Sequence, residues 1–119
     1  MKIAVSSQGT DIESQVDPRF GRAAYILVID TVSNGVEVLD NSENLNAFKG
    51  AGIQAAAMVS DRGAEVLLTG FCGPNAFKTL QAAGVKVAND VSGTVREAID
   101  AFSKGKFSLA ADASVEGQW

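Results

Sequence analysis

Tyr25-Ile26-Leu27-Val28-Ile29-Asp30 is a nearly continuous apolar run, and it restricts the fold more than any other stretch of the chain. Six residues are too few for a buried helix. A strand that is apolar at successive positions, not alternate ones, is covered on both faces. The flanking sequence agrees. Ser33-Asn34-Gly35 is a hairpin signal, because Asn-Gly tolerates positive φ. Val36 to Leu39 then returns as a strand, and Lys2 to Ser6 reads as an earlier one.

The pattern changes near Ala51. Ala51 to Arg62 is alanine-rich, with Ile53, Ala56, Ala57 and Val59 at helical spacing and Gly63 as a stop. Glu65 to Thr69 reads as a fourth strand. Pro74 opens a helix to about Ala83, stopped by Gly84. Val85 to Ala88 reads as a fifth strand. Thr94-Val95-Arg96-Glu97 has the form of a capping box and opens a helix to about Ser103. Strands alternating with helices predict crossover units and a mixed α/β sheet. Residues 7–24 read as a long loop.

The chain has 119 residues, which suits one domain able to bury roughly two thirds of its unfolded surface. The expected organisation is an α/β domain over 1–105 and a partly mobile tail over 106–119. One cysteine excludes an internal disulfide, and no signal peptide or membrane-length apolar run is evident. A reduced, cytoplasmic protein is expected. The net charge of −4 disfavours nucleic acid. The absence of histidine removes His-based triads, His-ligated zinc and His general bases.

If the first, third, fourth and fifth strands run the same way, the loops after them share one sheet edge. A crevice is expected between the first and fourth strands, where open α/β sheets bind ligands. Arg19, Arg22 and Lys49 fall in those loops, and helix N-termini open near Ala51, Pro74 and Thr94. Exposed backbone N–H groups and local cations favour an anion there, despite the overall negative charge. Asp17-Pro18-Arg19-Phe20-Gly21-Arg22-Ala23 packs a rigid turn, two guanidinium groups and an aromatic into seven residues. The plainer alternative is a structural loop in which arginine pairs with aspartate.

Other motifs carry blander readings. Gly50-Ala51-Gly52-Ile53-Gln54-Ala55 matches Gly-x-Gly-x-x-Ala but does not directly follow a strand, so its glycines are read as permitting a tight helix start. Cys72 lies between a strand and a helix N-terminus, a setting that suits a nucleophile or soft-metal ligand. No histidine or second cysteine accompanies it, and a small packed hydrophobe is the alternative. Asp11, Glu13 and Asp17 match no carboxylate cluster and read as solvated loop residues. An enzyme is disfavoured.

Phe20-Gly21-Arg22-Ala23 and the strand after it resemble the dinitrogenase iron–molybdenum cofactor-binding family. That family includes NifX, NafY, the C-terminal part of NifB and the cluster-carrying orange protein of sulfate reducers. The resemblance continues through Val38-Leu39-Asp40-Asn41, Gly50-Ala51-Gly52-Ile53-Gln54-Ala55-Ala56 and Gly84-Val85-Lys86-Val87. It implies a ribonuclease-H-like three-layer α/β/α domain with a five-stranded mixed sheet. It also implies non-covalent binding, for storage or delivery, of an anionic molybdenum–sulfur cluster with copper or iron as second metal, alongside cluster-assembly or recipient proteins. The crevice argument sets such a cluster against Arg19, Phe20, Gly21 and Arg22, with Ser7, Lys49, Phe71, Cys72, Gly73 and Asn75 nearby. Many members carry histidine where this chain has Ala47-Phe48-Lys49. The resemblance therefore leaves electrostatic and backbone capture, with Cys72 as the candidate sulfur ligand to a metal, and favours the orange-protein-like branch. The competing reading is a metal-free regulatory or protein-interaction module using the same crevice.

Overall fold

The computed structural model describes residues 1–45, 50–107 and 109. The elements follow in the order β1 (Lys2–Ser7), β2 (Tyr25–Asp30), β3 (Val36–Asp40), α1 (Ser42–Leu45), α2 (Ala51–Asp61), β4 (Val66–Leu68), α3 (Pro74–Ala82), β5 (Lys86–Ala88) and α4 (Val95–Ser103). They form one mixed five-stranded sheet in the order β3-β2-β1-β4-β5. β2 is antiparallel to both β1 and β3, while β1, β4 and β5 are parallel. Strands β1, β3, β4 and β5 therefore point the same way, as the hairpin and crossover patterns require.

The double-sided burial expected of β2 is present. Ile26 and Val28 join Ala4, Leu67 and Val87 in a core under α2 and α3, which contribute Ala55, Ala56, Val59, Ala76, Phe77 and Leu80. Leu27 and Ile29 join Ile3, Val5, Leu68 and Ala88 in a second core under α4, which contributes Val95 and Ala98. Successive strand residues thus feed opposite cores. The result is three layers, with α2 and α3 on one face and α4 on the other.

Element ends differ from the expected ones by a residue or so, and one element was not anticipated. The segment after β3 turns into the short helix α1. Asp40 Oδ1 accepts the Ser42 N–H at 2.8 Å, and buried Asn41 fastens the corner to a distant loop. That tertiary tie has no local signature. Most of the expected tail lies outside the described residues, and so do Ala47, Phe48 and Lys49. Phe107, within it, packs on the α4-side core.

The capping box is formed. Thr94 Oγ1 accepts the Glu97 N–H at 3.1 Å, and Glu97 Oε1 accepts the Thr94 N–H at 2.8 Å. Thr94→Ala removes one half of this exchange and is expected to lower unfolding free energy by about 1 kcal/mol, read by urea denaturation with an unchanged m-value. A buried polar contact at the sheet edge is more costly to lose. Ser6 Oγ lies 2.7 Å from the Asp17 carbonyl oxygen and 2.8 Å from Thr69 Oγ1. Ser6→Ala leaves both buried partners short of a bond and is expected to cost about 1–3 kcal/mol in the same measurement.

Candidate functional site

β1 is the strand at which the chain changes direction. Its antiparallel neighbour β2 lies on one side and its parallel neighbour β4 on the other. Loops leaving β1 and β4 must diverge, which opens a crevice at their carboxyl ends. The 8–24 loop folds back over that opening; its first half is tied to the 93–96 segment, and its 17–24 half is fastened at three points among the described residues.

The first fastening is at Asp17. Its N–H donates to Ser6 O at 2.8 Å, and its carbonyl accepts from Ser6 Oγ. A hydroxyl has one proton, so Ser6 donates to the carbonyl and receives the Thr69 hydroxyl in return. The second is a parallel bridge between Arg19 and Phe71, in which Phe20 N–H donates to Phe71 O at 3.1 Å. The third is Asn41, whose Nδ2 donates to Ala23 O at 2.8 Å and Gly21 O at 3.3 Å. Its N–H also donates to Ala24 O at 3.0 Å.

Close backbone approach makes the arrangement tight. A Cβ at Gly70 would lie 2.6 Å from Pro18 Cα, so only glycine lets the loop sit against the start of the 70–73 segment. A Cβ at Gly21 would lie 2.9 Å from both Cα and N of Gly52, at the first turn of α2. The Gly-x-Gly segment therefore does two jobs. Gly50 takes a left-handed φ of 84° as the N-cap of α2, in keeping with a tight helix start. Gly52, in the first turn, lets α2 lie close to α3: a Cβ there would lie 3.1 Å from Ala76 Cβ.

Between these segments lies a cavity of about 290 Å³, room for roughly ten water molecules at liquid density. The loop contributes Arg19, Phe20, Gly21 and Arg22; α2 contributes Gly52; the β4–α3 segment contributes Phe71, Gly73, Pro74, Asn75 and Ala76. Phe20 is a buried floor joined to the α2/α3 core, whereas Phe71 stands 47% exposed at the lip.

Two helix N-termini reach this cavity. Neither α2 nor α3 has a side-chain cap or an acidic residue in its first turn. In α3 the first intrahelical bond runs from Phe77 N–H to Gly73 O at 2.9 Å. The N–H groups of Asn75 and Ala76 precede it and have no carbonyl within the helix to bond. By contrast α4, on the opposite face, carries the full capping box. Among the described residues, side chains cap the N-terminus of α4 and none caps those of α2 and α3.

Arginine chemistry adds to that field. Arg19 Nε lies 3.5 Å from Asp17 Oδ1, with side-chain exposures of 65% and 5%. The same carboxylate oxygen accepts the Arg19 N–H at 2.9 Å. Asp17 is thus a buried partner of Arg19, the arginine–aspartate pairing given above as the plainer alternative, and not a solvated loop residue. Glu13 is likewise engaged, receiving Arg96 Nε at 2.6 Å, and Asp11 Oδ1 accepts the Glu13 N–H. Among the described residues no group of three or more His, Cys, Asp or Glu could hold a metal ion.

Of the residues singled out from the sequence, Arg19, Phe20, Gly21, Arg22, Phe71, Gly73 and Asn75 line the cavity together. Lys49 lies outside the described residues. Ser7 does not reach the cavity. Strand alternation turns it toward the α4 face, where its Oγ donates to Gly9 O at 2.8 Å, and Ser6 takes the inner position. Cys72 belongs to the α2/α3 core and is fully buried. Burial pushes its thiol up to about 12, the reverse of the lowering that a helix N-terminus confers on a reactive thiol. Its buried position is that of the small packed hydrophobe given above as the alternative. Pro74 lies within the 71–75 loop expected beside the site, whereas Gly52 and Ala76 as lining residues, and Ser6, Thr69 and Asn41 as supports, are not among the expected residues. Only Gly52 had a sequence signal, in the Gly-x-Gly segment.

The geometry agrees with comparisons to known proteins. The apo form of the orange protein from Desulfovibrio gigas is 44% identical, with 96% of each chain covered and a TM-score of 0.93. A protein from Thermotoga assigned as NifB is 41% identical over 98% of each chain, with a TM-score of 0.84. A protein from Methanocaldococcus jannaschii assigned as a dinitrogenase shares the fold at 17% identity, with 94% of this chain and 96% of that one covered and a TM-score of 0.68. No curated protein matches. Residues 1–105 match the family described as dinitrogenase iron-molybdenum cofactor. The chain belongs to the dinitrogenase iron–molybdenum cofactor family.

Proposed function

We propose that this protein binds an anionic molybdenum-containing metal–sulfur cluster, without covalent attachment, in the cavity between the 17–22 loop and the N-termini of α2 and α3. It stores the cluster or delivers it to assembly or recipient proteins, and it catalyses no reaction. The observation that carries this reading is the convergence of two arginines and two side-chain-free helix N-termini on a cavity floored by Phe20. Membership of a family named for a molybdenum cofactor supports it.

The chemistry of the lining suits such a cargo. A sulfide-rich cluster already saturates its own metals and asks for charge, donors and contact area more than for ligands. A cation ~6 Å from an anionic cargo contributes roughly 2–3 kcal/mol per unit charge at an effective dielectric of ~20. Each helix N-terminus adds roughly 0.3–1 kcal/mol. Acidic groups elsewhere are screened beyond ~8 Å at physiological salt. Phe20 and Phe71 offer ring surface to polarisable sulfur. Arg19, Arg22 and the N–H groups of Asn75 and Ala76 are the proposed anion contacts. Phe20, Gly21, Gly52, Phe71 and Gly73 shape the cavity.

Anaerobic reconstitution tests the proposal. Apo-protein is mixed with tetrathiomolybdate and copper, or with isolated iron–molybdenum cofactor, and passed over a gel-filtration column. A visible chromophore is expected to elute with the protein, and elemental analysis identifies the second metal. Elution without colour in both cases would rule the proposal out. Replacing both Arg19 and Arg22 with alanine is expected to reduce retention at least about tenfold; full retention would move the site elsewhere.

The core position of Cys72 yields a separate expectation. Cys72→Ala should retain the same amount of chromophore while losing about 1–2 kcal/mol of stability through the small void it leaves. In the native wild type, a water-soluble disulfide reagent should react with the thiol only slowly. Loss of the chromophore from a folded Cys72→Ala variant would reinstate sulfur ligation.

A further inference from the structure

One side chain holds the part of the cavity loop that meets α2. Asn41 Nδ2 donates to the carbonyls of Gly21 and Ala23, and the Asn41 N–H donates to that of Ala24. The two side-chain bonds exist only while the carboxamide turns its nitrogen to the loop. Rotated by half a turn, it would set its own oxygen against two carbonyl oxygens, and both bonds would be lost. Asn41 is fully buried, so water cannot make good the loss.

The orientation is decided in α1. Asn44 Nδ2 donates to Asn41 Oδ1 at 2.7 Å, which requires the oxygen on that side and leaves the nitrogen facing the loop. The same Asn44 nitrogen lies 3.0 Å from Met58 Sδ, on α2, so both of its protons are used. Asn44 is 8% exposed. Its amide therefore joins the residue that holds one cavity wall, at Gly21, to the helix that supplies the other, at Gly52.

We infer that Asn44 is a positioning residue for the cavity. It orients the Asn41 carboxamide and so fixes the separation of the loop wall from the α2 wall. The inference rests on the proposed binding of cargo in this cavity and deepens it by naming what governs the release of that cargo. Without the Asn44 donor, the Asn41 oxygen is buried and unpaired, and the rotated carboxamide competes with the native one. The 21–24 stretch then loosens from α2, and a bound cargo leaves sooner.

Two variants separate orientation from charge. Asn44→Leu removes both donors without adding charge. Asn44→Asp presents oxygen where the nitrogen stood and draws the Asn41 nitrogen away from the loop. In cargo-free protein, solvent exchange of the Asn41 side-chain amide protons is followed by nuclear magnetic resonance. They are expected to exchange at least about tenfold faster in both variants than in the wild type. After reconstitution with tetrathiomolybdate and copper, the chromophore still eluting with the protein is followed in time after dilution. Both variants are expected to release it at least about fivefold faster than the wild type. Thr94→Ala, which weakens the opposite face, is expected to release it at the wild-type rate.

A folded Asn44→Leu variant whose Asn41 amide stays protected would overturn the inference. So would release from it no faster than from Thr94→Ala, or acceleration in Asn44→Asp alone, which would assign the effect to charge. Should neither variant fold, the wild type decides: an Asn41 side-chain amide that exchanges as in the denatured chain would overturn the inference, and a protected one supports it. Failure of the wild type to take up any chromophore would instead strike at the cluster-binding reading, while the exchange measurement would still report the hold of Asn44 on the loop.

Discussion

A single hydroxyl ties the site to the fold. Ser6 sits on the last turn of pleat in β1, donates to the Asp17 carbonyl and faces Thr69 at the end of β4. All three residues are buried, so water cannot take over these bonds and breaking them exposes the full desolvation cost. This contact joins the loop leaving β1 to the neighbouring parallel strand. Everything downstream of Asp17 in the loop inherits its position from that contact: the Arg19–Phe71 bridge, the buried ring of Phe20 and the approach of Gly21 to Gly52. The cavity exists because the loop is pinned over the switch point and not left in solvent.

Division of labour between the two sheet faces follows from the same alternation. The α4 face is closed by a helix whose N-terminus is capped by its own side chains. The other face carries helices whose N-termini have no such cap and whose first turns hold no acid. A helix end without a side-chain cap costs stability unless water or a ligand satisfies its donors. Two such ends beside two arginines place positive charge at the cavity although the net charge of the molecule is −4. Cys72 shows the complementary rule. The backbone that shapes the cavity lip turns that side chain inward, where burial raises the pKa of the thiol.

Much of the architecture was legible before any coordinates. The apolar run of β2, the Asn-Gly hairpin, the capping box at Thr94 and the Pro74 helix start each have a local physical cause, and each is formed. The strand directions followed from hairpin and crossover rules, and with them the edge on which a site would open. Seven of the residues named from the sequence do line one cavity. Ser7 was misplaced by one step of the pleat, because the sequence does not say where a strand ends. The inward turn of Cys72 is not legible in the chain, because a strand–helix junction sets the backbone's direction but not which way the next side chain turns. Short α1 went unseen because Asn41 holds it by bonds to residues about twenty positions away.

What the sequence determined by itself is the inventory and the local grammar: an α/β chain without histidine, with one cysteine, and with a loop that packs proline, phenylalanine and two arginines into seven positions. Those are properties of residue type and near-neighbour spacing, to which hydrophobic period, capping and turn chemistry respond directly. Only the tertiary structure decided that Ser6 and not Ser7 meets Asp17 and Thr69, that Asp17 is buried beside Arg19, and that Gly21, Gly52 and Ala76 meet. These contacts join segments from four elements. Their energies depend on burial and on distances that exist only after the sheet has closed, so no local pattern in the chain records them.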